Sequence, residues 1–364
     1  AGEGSHPGRS LLKIGNGSQH QRLVRAGSRE FFVGGAALHD KTLSGWALIL
    51  GASSGFGAAC SRALSASGMD IVGVHLDPRA TLDRAKAVIA DVENNDQQAL
   101  FFNVNAADER KRAKVLDGVQ TEVGRGGVKL LLHTLAFGSL RPFVAKTADE
   151  SLSKAQMEMT LDVMAHSLVY WTQDLAWRGL FADDARIYAM TSAGSHRVFP
   201  AYGAVSAAKA ALESHIRQLA LELAPRNIKC NAIQAGITDT PALRQIPGHE
   251  QALEIARVCH PFGRMTVPED IAQALVALAQ PGWGTFGGLV RHLVSVGGDS
   301  DRAEVNQTLI EPFVNYNLDD GWYLISDIVA TYNWEAPSGN RLLLPVGGGV
   351  GRVTKFGSQP VNLR

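Results

Sequence analysis

Between Trp46 and about Asp301 the chain alternates short apolar runs with amphipathic stretches at helical spacing, and this alternation restricts the possible folds more than any other feature. The runs WALILG, DIVGVHL, ALFFNV, VKLLLH, ARIYAM, IKCNAI and LVRHLVSV read as seven buried strands. Parallel strands need a crossover long enough to hold a helix, so the pattern predicts an α/β fold, a doubly wound, mostly parallel sheet with helices on both faces. Ligands of such sheets bind at the carboxyl ends of the strands.

The flanks differ in texture. Residues 1–44 are rich in Gly, Ser, His and Arg without sustained period and are expected to form a loosely ordered extension, in which Arg22, Arg25 and Arg29 make a solvated arm. Residues 45–301 hold the predicted sheet. In residues 302–364 the runs TLIEPFVNYNL, WYLISDIVATYNW and RLLLPV are separated by DDG and EAPSGN, which predicts a tail of antiparallel hairpins. With 35 basic and 35 acidic residues the formal charge is zero, which argues against a nucleic-acid backbone as partner. Cys60, Cys230 and Cys259 lack metal-ligand spacing and are odd in number, as expected of buried thiols in a reducing compartment. No apolar run reaches the roughly 18 residues of a membrane span, and AGEGSHPGRS lacks the apolar stretch of a signal peptide. A cytoplasmic location is the expectation.

The first predicted strand runs into GASSGFG, Gly51 to Gly57, and then into the helical pattern AACSRALSASG. Such a turn lets backbone N–H groups approach a pyrophosphate without obstruction by Cβ, although it also arises wherever a strand bends sharply into a helix. Gly51, Ser53, Ser54, Gly55, Phe56 and Gly57 are the candidate contacts. About 24 residues past Gly51, after the second strand, comes His75-Leu76-Asp77-Pro78-Arg79, where a dinucleotide site reads the adenosine ribose. His75 takes the place of the usual acid and Arg79 could reach a 2′-phosphate, so NADP(H) is expected over NAD(H); a polar loop that merely carries charges is the alternative. Asn103 and Val104, at the end of the third strand, are candidates for the adenine edge.

In YGAVSAAK, Tyr202 precedes Lys209 by seven positions. Val205, Ala208, Leu212, Ile216, Leu219 and Leu223 repeat at three and four, which predicts an amphipathic helix closed by Pro225 and Asn227. Residues seven apart differ by only about 20° around a helix and lie about 10 Å apart along it, so the two share a face. A nearby ammonium would favour ionisation of the phenol and make it a better proton donor. The plainer reading is a helix that happens to carry one Tyr and one Lys.

Taken in order, GASSGFG, LLHTLAFGSLRPF at 131–143, TSAGSHRVFPAYGAVSAAK ending at Lys209 and NAIQAGITDTPA near 231–242 resemble the short-chain dehydrogenase/reductase family over roughly residues 45–301. The Tyr-x6-Lys spacing is similar to that of the enoyl-acyl-carrier-protein reductases, and ITDTPALRQIPGHEQALEIARVCHPFGRMTVPEDIAQAL looks like the NADPH-using type III members. The resemblance implies a Rossmann-type fold, a homotetramer, and an acyl thioester on acyl carrier protein or coenzyme A as substrate. It implies that Tyr202 stabilises the enolate oxygen, that Lys209 holds the nicotinamide ribose, and that Ser192, in the place of a second tyrosine of many members, makes a secondary polar contact. It implies that the backbone at Ala136 passes the cofactor and that Ile237 and Thr240 meet the carboxamide and phosphates. His133 is expected to be packed or hydrogen-bonded in the core, and Met164 stands where the family carries a helix asparagine of a water-linked proton relay.

A physical account of the spacing follows from where charge develops. Ketone reduction places charge on the oxygen of the carbon that receives hydride, whereas reduction of a 2,3-unsaturated thioester places it two carbons away. The acid must then stand farther from the nicotinamide. A carbonyl reductase or alcohol dehydrogenase of the same family is the alternative activity. The tail resembles a piece of a porin-like outer-membrane β-barrel, whose three predicted strands are too few to close.

Overall fold

A computed structural model describes residues 43–259, 264–280, 285–294, 306–317, 322–356 and 359–363. The extension expected over residues 1–44, its arginine cluster and the DDG turn lie outside these residues, apart from 43–44.

Six strands form a parallel sheet in the order β3-β2-β1-β4-β5-β6: β1 (Trp46–Leu50), β2 (Asp70–His75), β3 (Ala99–Asn103), β4 (Val128–His133), β5 (Phe181–Thr191) and β6 (Lys229–Gln234). All five residues of β1 are buried, as expected of a strand covered on both faces. Successive side chains serve opposite layers. Leu48, Leu50 and Leu131 pack with α3 (Glu109–Glu122), α5 (Ser167–Trp177) and α6 (Gly203–Leu223). Ala47, Ile49, Leu130 and Leu132 pack with α1 (Gly55–Ala66), α2 (Leu82–Glu93) and α8 (Pro268–Ala279). The strand order reverses between β1 and β4, which opens a crevice at their carboxyl ends.

Two helical features bear on that crevice. The short α4 (Lys154–Leu161) starts with a capping box in which the Ser153 side chain and the Gln156 side chain satisfy each other's backbone donors. It passes without a loop through a π-helical turn, Asp162–His166, into α5. Beyond the turn, Trp171 is fully buried and its indole N–H donates to the Ala106 carbonyl at 2.8 Å.

The seventh apolar run departs from expectation. β7 (Thr285–Val294) does not extend the parallel sheet; all ten of its residues pair antiparallel with β8 (Asn306–Asn317). β6 has only six residues to offer, whereas β8 has twelve and follows in sequence, so the longer local ladder wins. The parallel sheet therefore has six strands rather than seven among the described residues. The tail is antiparallel, as its turns predict: β8 pairs with β9 (Trp322–Asp327) and β10 (Ala330–Asn333), and the EAPSGN turn joins β10 to β11 (Leu342–Leu343). β12 (Gly349–Phe356) joins β9 to β13 (Gln359–Leu363). Among the described residues no helix is long and apolar enough to cross a membrane.

Candidate active site

The turn after β1 is built around close backbone approaches. Gly51 adopts φ +95°, a conformation that costs a side chain dearly, and its N–H donates to the Val74 carbonyl at 2.8 Å. A Cβ at Gly57 would stand 2.0 Å from the Gly51 carbonyl oxygen, so only glycine lets α1 start this close to β1. From the neighbouring strand, the Thr134 hydroxyl donates to the Leu50 carbonyl at 2.9 Å and ties the end of β4 to the same turn. Ser54 is the N-cap of α1 in extended conformation, and its side chain makes no capping bond. The N–H groups of Gly55, Phe56 and Gly57 therefore precede the first intrahelical bond, which runs from Ala58 N–H to the Ser54 carbonyl at 3.2 Å. Open donors at a helix N-terminus with no Cβ in the way suit a pyrophosphate.

At the ribose end, the residue that matters is Asp77. Its carboxylate bonds His75 Nδ1 at 2.8 Å and accepts from the Thr81 hydroxyl at 2.6 Å. Burial pushes this carboxyl up, but hydrogen bonds to Ser53, Thr81 and His75 outweigh burial and hold it below the usual carboxylate range. An ionised carboxylate beside the glycine turn can accept from a ribose 2′-hydroxyl and repels a 2′-phosphate. The expected preference for NADP(H) gains no support: Arg79 is exposed without a partner among the described residues, and His75 is buried behind Asp77. Asn103 exchanges two hydrogen bonds of 2.9 Å with the Asp77 backbone, so it braces this loop. Val104 N–H donates to the His75 carbonyl at 2.8 Å, and the half-buried side chain packs on the core.

Tyr202 and Lys209 come from α6, although Tyr202 is its N-cap rather than a residue of its first turn. The phenol is half-buried and pairs with the Ser192 hydroxyl, which is fixed by the Gly194 N–H at 3.1 Å. Burial raises the phenol above its ordinary value and the Ser192 bond opposes that rise. Lys209 does not act as expected on the phenol: among the described residues, Ser192 is the group that pulls its pKa down, and the net shift is upward. The Lys209 ammonium is buried and donates to the Met190 carbonyl at 2.7 Å. Burial pulls it down to about 8, against the Glu213 carboxylate one turn further on.

Several neighbours of the phenol were not legible in the sequence. A Cβ at Gly194 would stand 2.5 Å from Tyr202 Cε1, so this glycine gives the ring its place. Phe199 meets Tyr202 edge to face with centroids 5.8 Å apart, and Phe143 lies against Gly203. Thr240 is buried and faces Gly55 from across the crevice, 3.6 Å from where a Cβ would sit, whereas Ile237 and Ala136 are exposed. The buried His133 bonds Ser167, as expected of a core histidine.

A family model described as Enoyl-(Acyl carrier protein) reductase matches residues 51–292, well over half of the chain. The enoyl-acyl-carrier-protein reductase (NADH) of Aquifex aeolicus is 29% identical over 153 residues, covering 42% of this chain. That match spans 56% of the relative, so the chain covers little more than half of its length. The cis-4-hydroxycyclohexanecarboxylate dehydrogenase of Sinomonas cyclohexanicum is 32% identical over 244 residues, covering 64% of this chain and 88% of the relative. The solved structure of the Aquifex aeolicus enoyl reductase superposes with a TM-score of 0.57 at 21% identity, covering 67% of this chain and 91% of that one, which supports the fold. The chain belongs to the short-chain dehydrogenase/reductase family of oxidoreductases.

Proposed function

We propose that this chain reduces the 2,3-double bond of an enoyl thioester, carried on acyl carrier protein or coenzyme A, with NAD(H) as cofactor. The observation that carries the reading is the seven-position offset: the phenol stands at the N-terminus of α6 and the ammonium two turns deeper, beneath the carboxyl end of β5. Conjugate addition needs an acid set back from the carbon that receives hydride, and about 10 Å along the helix provides that set-back.

When bound, the nicotinamide supplies the hydride. Tyr202 hydrogen-bonds the thioester oxygen on which charge develops, and its burial keeps the phenol protonated through neutral pH. Ser192 orients the hydroxyl, while Phe199 and Gly194 hold the ring. Lys209 donates to the ribose hydroxyls with a hydrogen not taken by Met190. The glycine turn holds the pyrophosphate and Thr240 closes over it. A homotetramer in the cytoplasm completes the proposal, on the resemblance alone.

The test is cofactor oxidation with crotonyl against acetoacetyl thioester. Crotonyl turnover is expected, and it should fall as pH rises through about 8, where Lys209 loses its proton. Turnover of acetoacetyl thioester alone removes the reading. That outcome would favour the second one, a carbonyl reductase or alcohol dehydrogenase, which the Sinomonas relative supports.

The cofactor assignment has its own check. Asp77→Ala should shift the ratio of NADPH to NADH affinity toward NADPH by at least about tenfold, since a like charge facing the 2′-phosphate is removed. Fluorescence titration with both cofactors measures it, and an unchanged ratio would show that Asp77 does not choose between them.

A further inference from the structure

His133 ends β4, is fully buried, and has one ring nitrogen satisfied and one not. Its Nε2 lies 2.9 Å from the Ser167 hydroxyl, and that hydroxyl donates its only hydrogen to the Val163 carbonyl at 2.8 Å. Ser167 must then accept from the ring, so Nε2 carries the hydrogen and Nδ1 is a lone pair. Among the described residues that Nδ1 has no partner. A buried acceptor left unmade is costly and marks a place where a donor belongs.

The donor at hand is Lys209. His133 is register partner of Ala189 on β5, and the next carbonyl along that strand, Met190, takes one ammonium hydrogen. Two hydrogens remain. Burial first, and then the Lys209 charge, drive the His133 imidazolium down to about 3, with the His133 and Val163 carbonyls opposing, so the ring stays neutral and accepting. Around the ammonium, the groups that act are Glu213 on α6, His133 on β4 and the Met190 carbonyl on β5. Met164, a buried thioether in the π-helical turn, supplies no hydrogen bond comparable to that of a side-chain amide.

We propose that His133 is a positioning residue for Lys209: its Nδ1 accepts a hydrogen from the ammonium through one bridging water, and together with Met190 fixes where the last N–H points. This inference takes from the proposed function only that Lys209 holds the cofactor ribose. Ser167 sets the tautomer and thereby makes the histidine an acceptor rather than a competing donor.

Nitrogen-15 NMR of the wild-type chain without cofactor tests it first. The expected spectrum has His133 neutral from pH 5 to 9 with Nε2 protonated, and an Nδ1 signal that shifts with a midpoint near 8 as Lys209 titrates. A protonated Nδ1, or an Nδ1 signal that does not move, overturns the proposal. NADH affinity by fluorescence gives a second readout: in Ser167→Ala, and in His133→Phe if it folds, the pH at which affinity falls should drop by about one to two units, the worth of one hydrogen bond to a charge. An unmoved midpoint in Ser167→Ala also overturns it. Neither readout needs an enoyl substrate, so a failure of the proposed reaction would not be mistaken for a failure of this pairing.

Discussion

Tyr202→Phe is expected to slow reduction of a crotonyl thioester by about 10²–10³-fold, the usual worth of one hydrogen-bond donor aimed at a developing oxyanion. The substitution removes one oxygen and leaves the ring, whose contacts with Gly194 and Phe199 hold it in place. NADH affinity should be unchanged, because the phenol is placed on the substrate and Lys209 on the ribose. The loss should appear in kcat and kcat/KM together, as befits an interaction made in the transition state. Steady-state kinetics over a range of thioester concentrations checks this. Undiminished turnover, or a loss confined to NADH affinity, would end the assignment of Tyr202 as the acid.

Gly57→Ala should be the most damaging single methyl in the dinucleotide half. The added Cβ would fall 2.0 Å from the Gly51 carbonyl oxygen, a backbone atom that has no rotamer to escape into. The N-terminus of α1 must retreat from β1, which costs about 1–3 kcal/mol or more in a well-packed core. A domain of this size loses roughly 2–4 °C in Tm per kcal/mol. NADH binding should be lost along with the donor geometry of Gly55 and Phe56. Thermal unfolding and fluorescence titration measure both effects, with Gly347→Ala as control, where an added Cβ meets nothing within 4 Å. A variant with wild-type stability and affinity would mean that the turn is looser than described.

The parallel core could be read from the sequence because its central strands β2, β1 and β4 are almost wholly buried, and β1 to β6 are apolar runs bounded by helical periods. β7 misled because an apolar run carries no mark of which neighbour it will choose, and the rival β8 lay in a tail with a different pattern. At the site, the glycine turn and the Tyr202–Lys209 offset are local in sequence and were visible. The environment of each was not. Ser53 and Thr81 converge on Asp77 from different elements, and Ser167 reaches His133 across 34 positions. Such contacts depend on topology, so charge signs around Arg79 suggested a phosphate site where the folded chain presents a carboxylate.

The π-helical turn at Asp162–His166 has a geometric consequence for any scan of this region. A wider turn takes up one extra residue, which corresponds to about 100° of rotation in an ordinary helix. Ser167 and Trp171, both buried, follow directly on that turn. Excising a single residue there would leave an unbroken rod with its aromatic anchor still at the same azimuth, whereas an excision in the ordinary helix on either side would swing that anchor away.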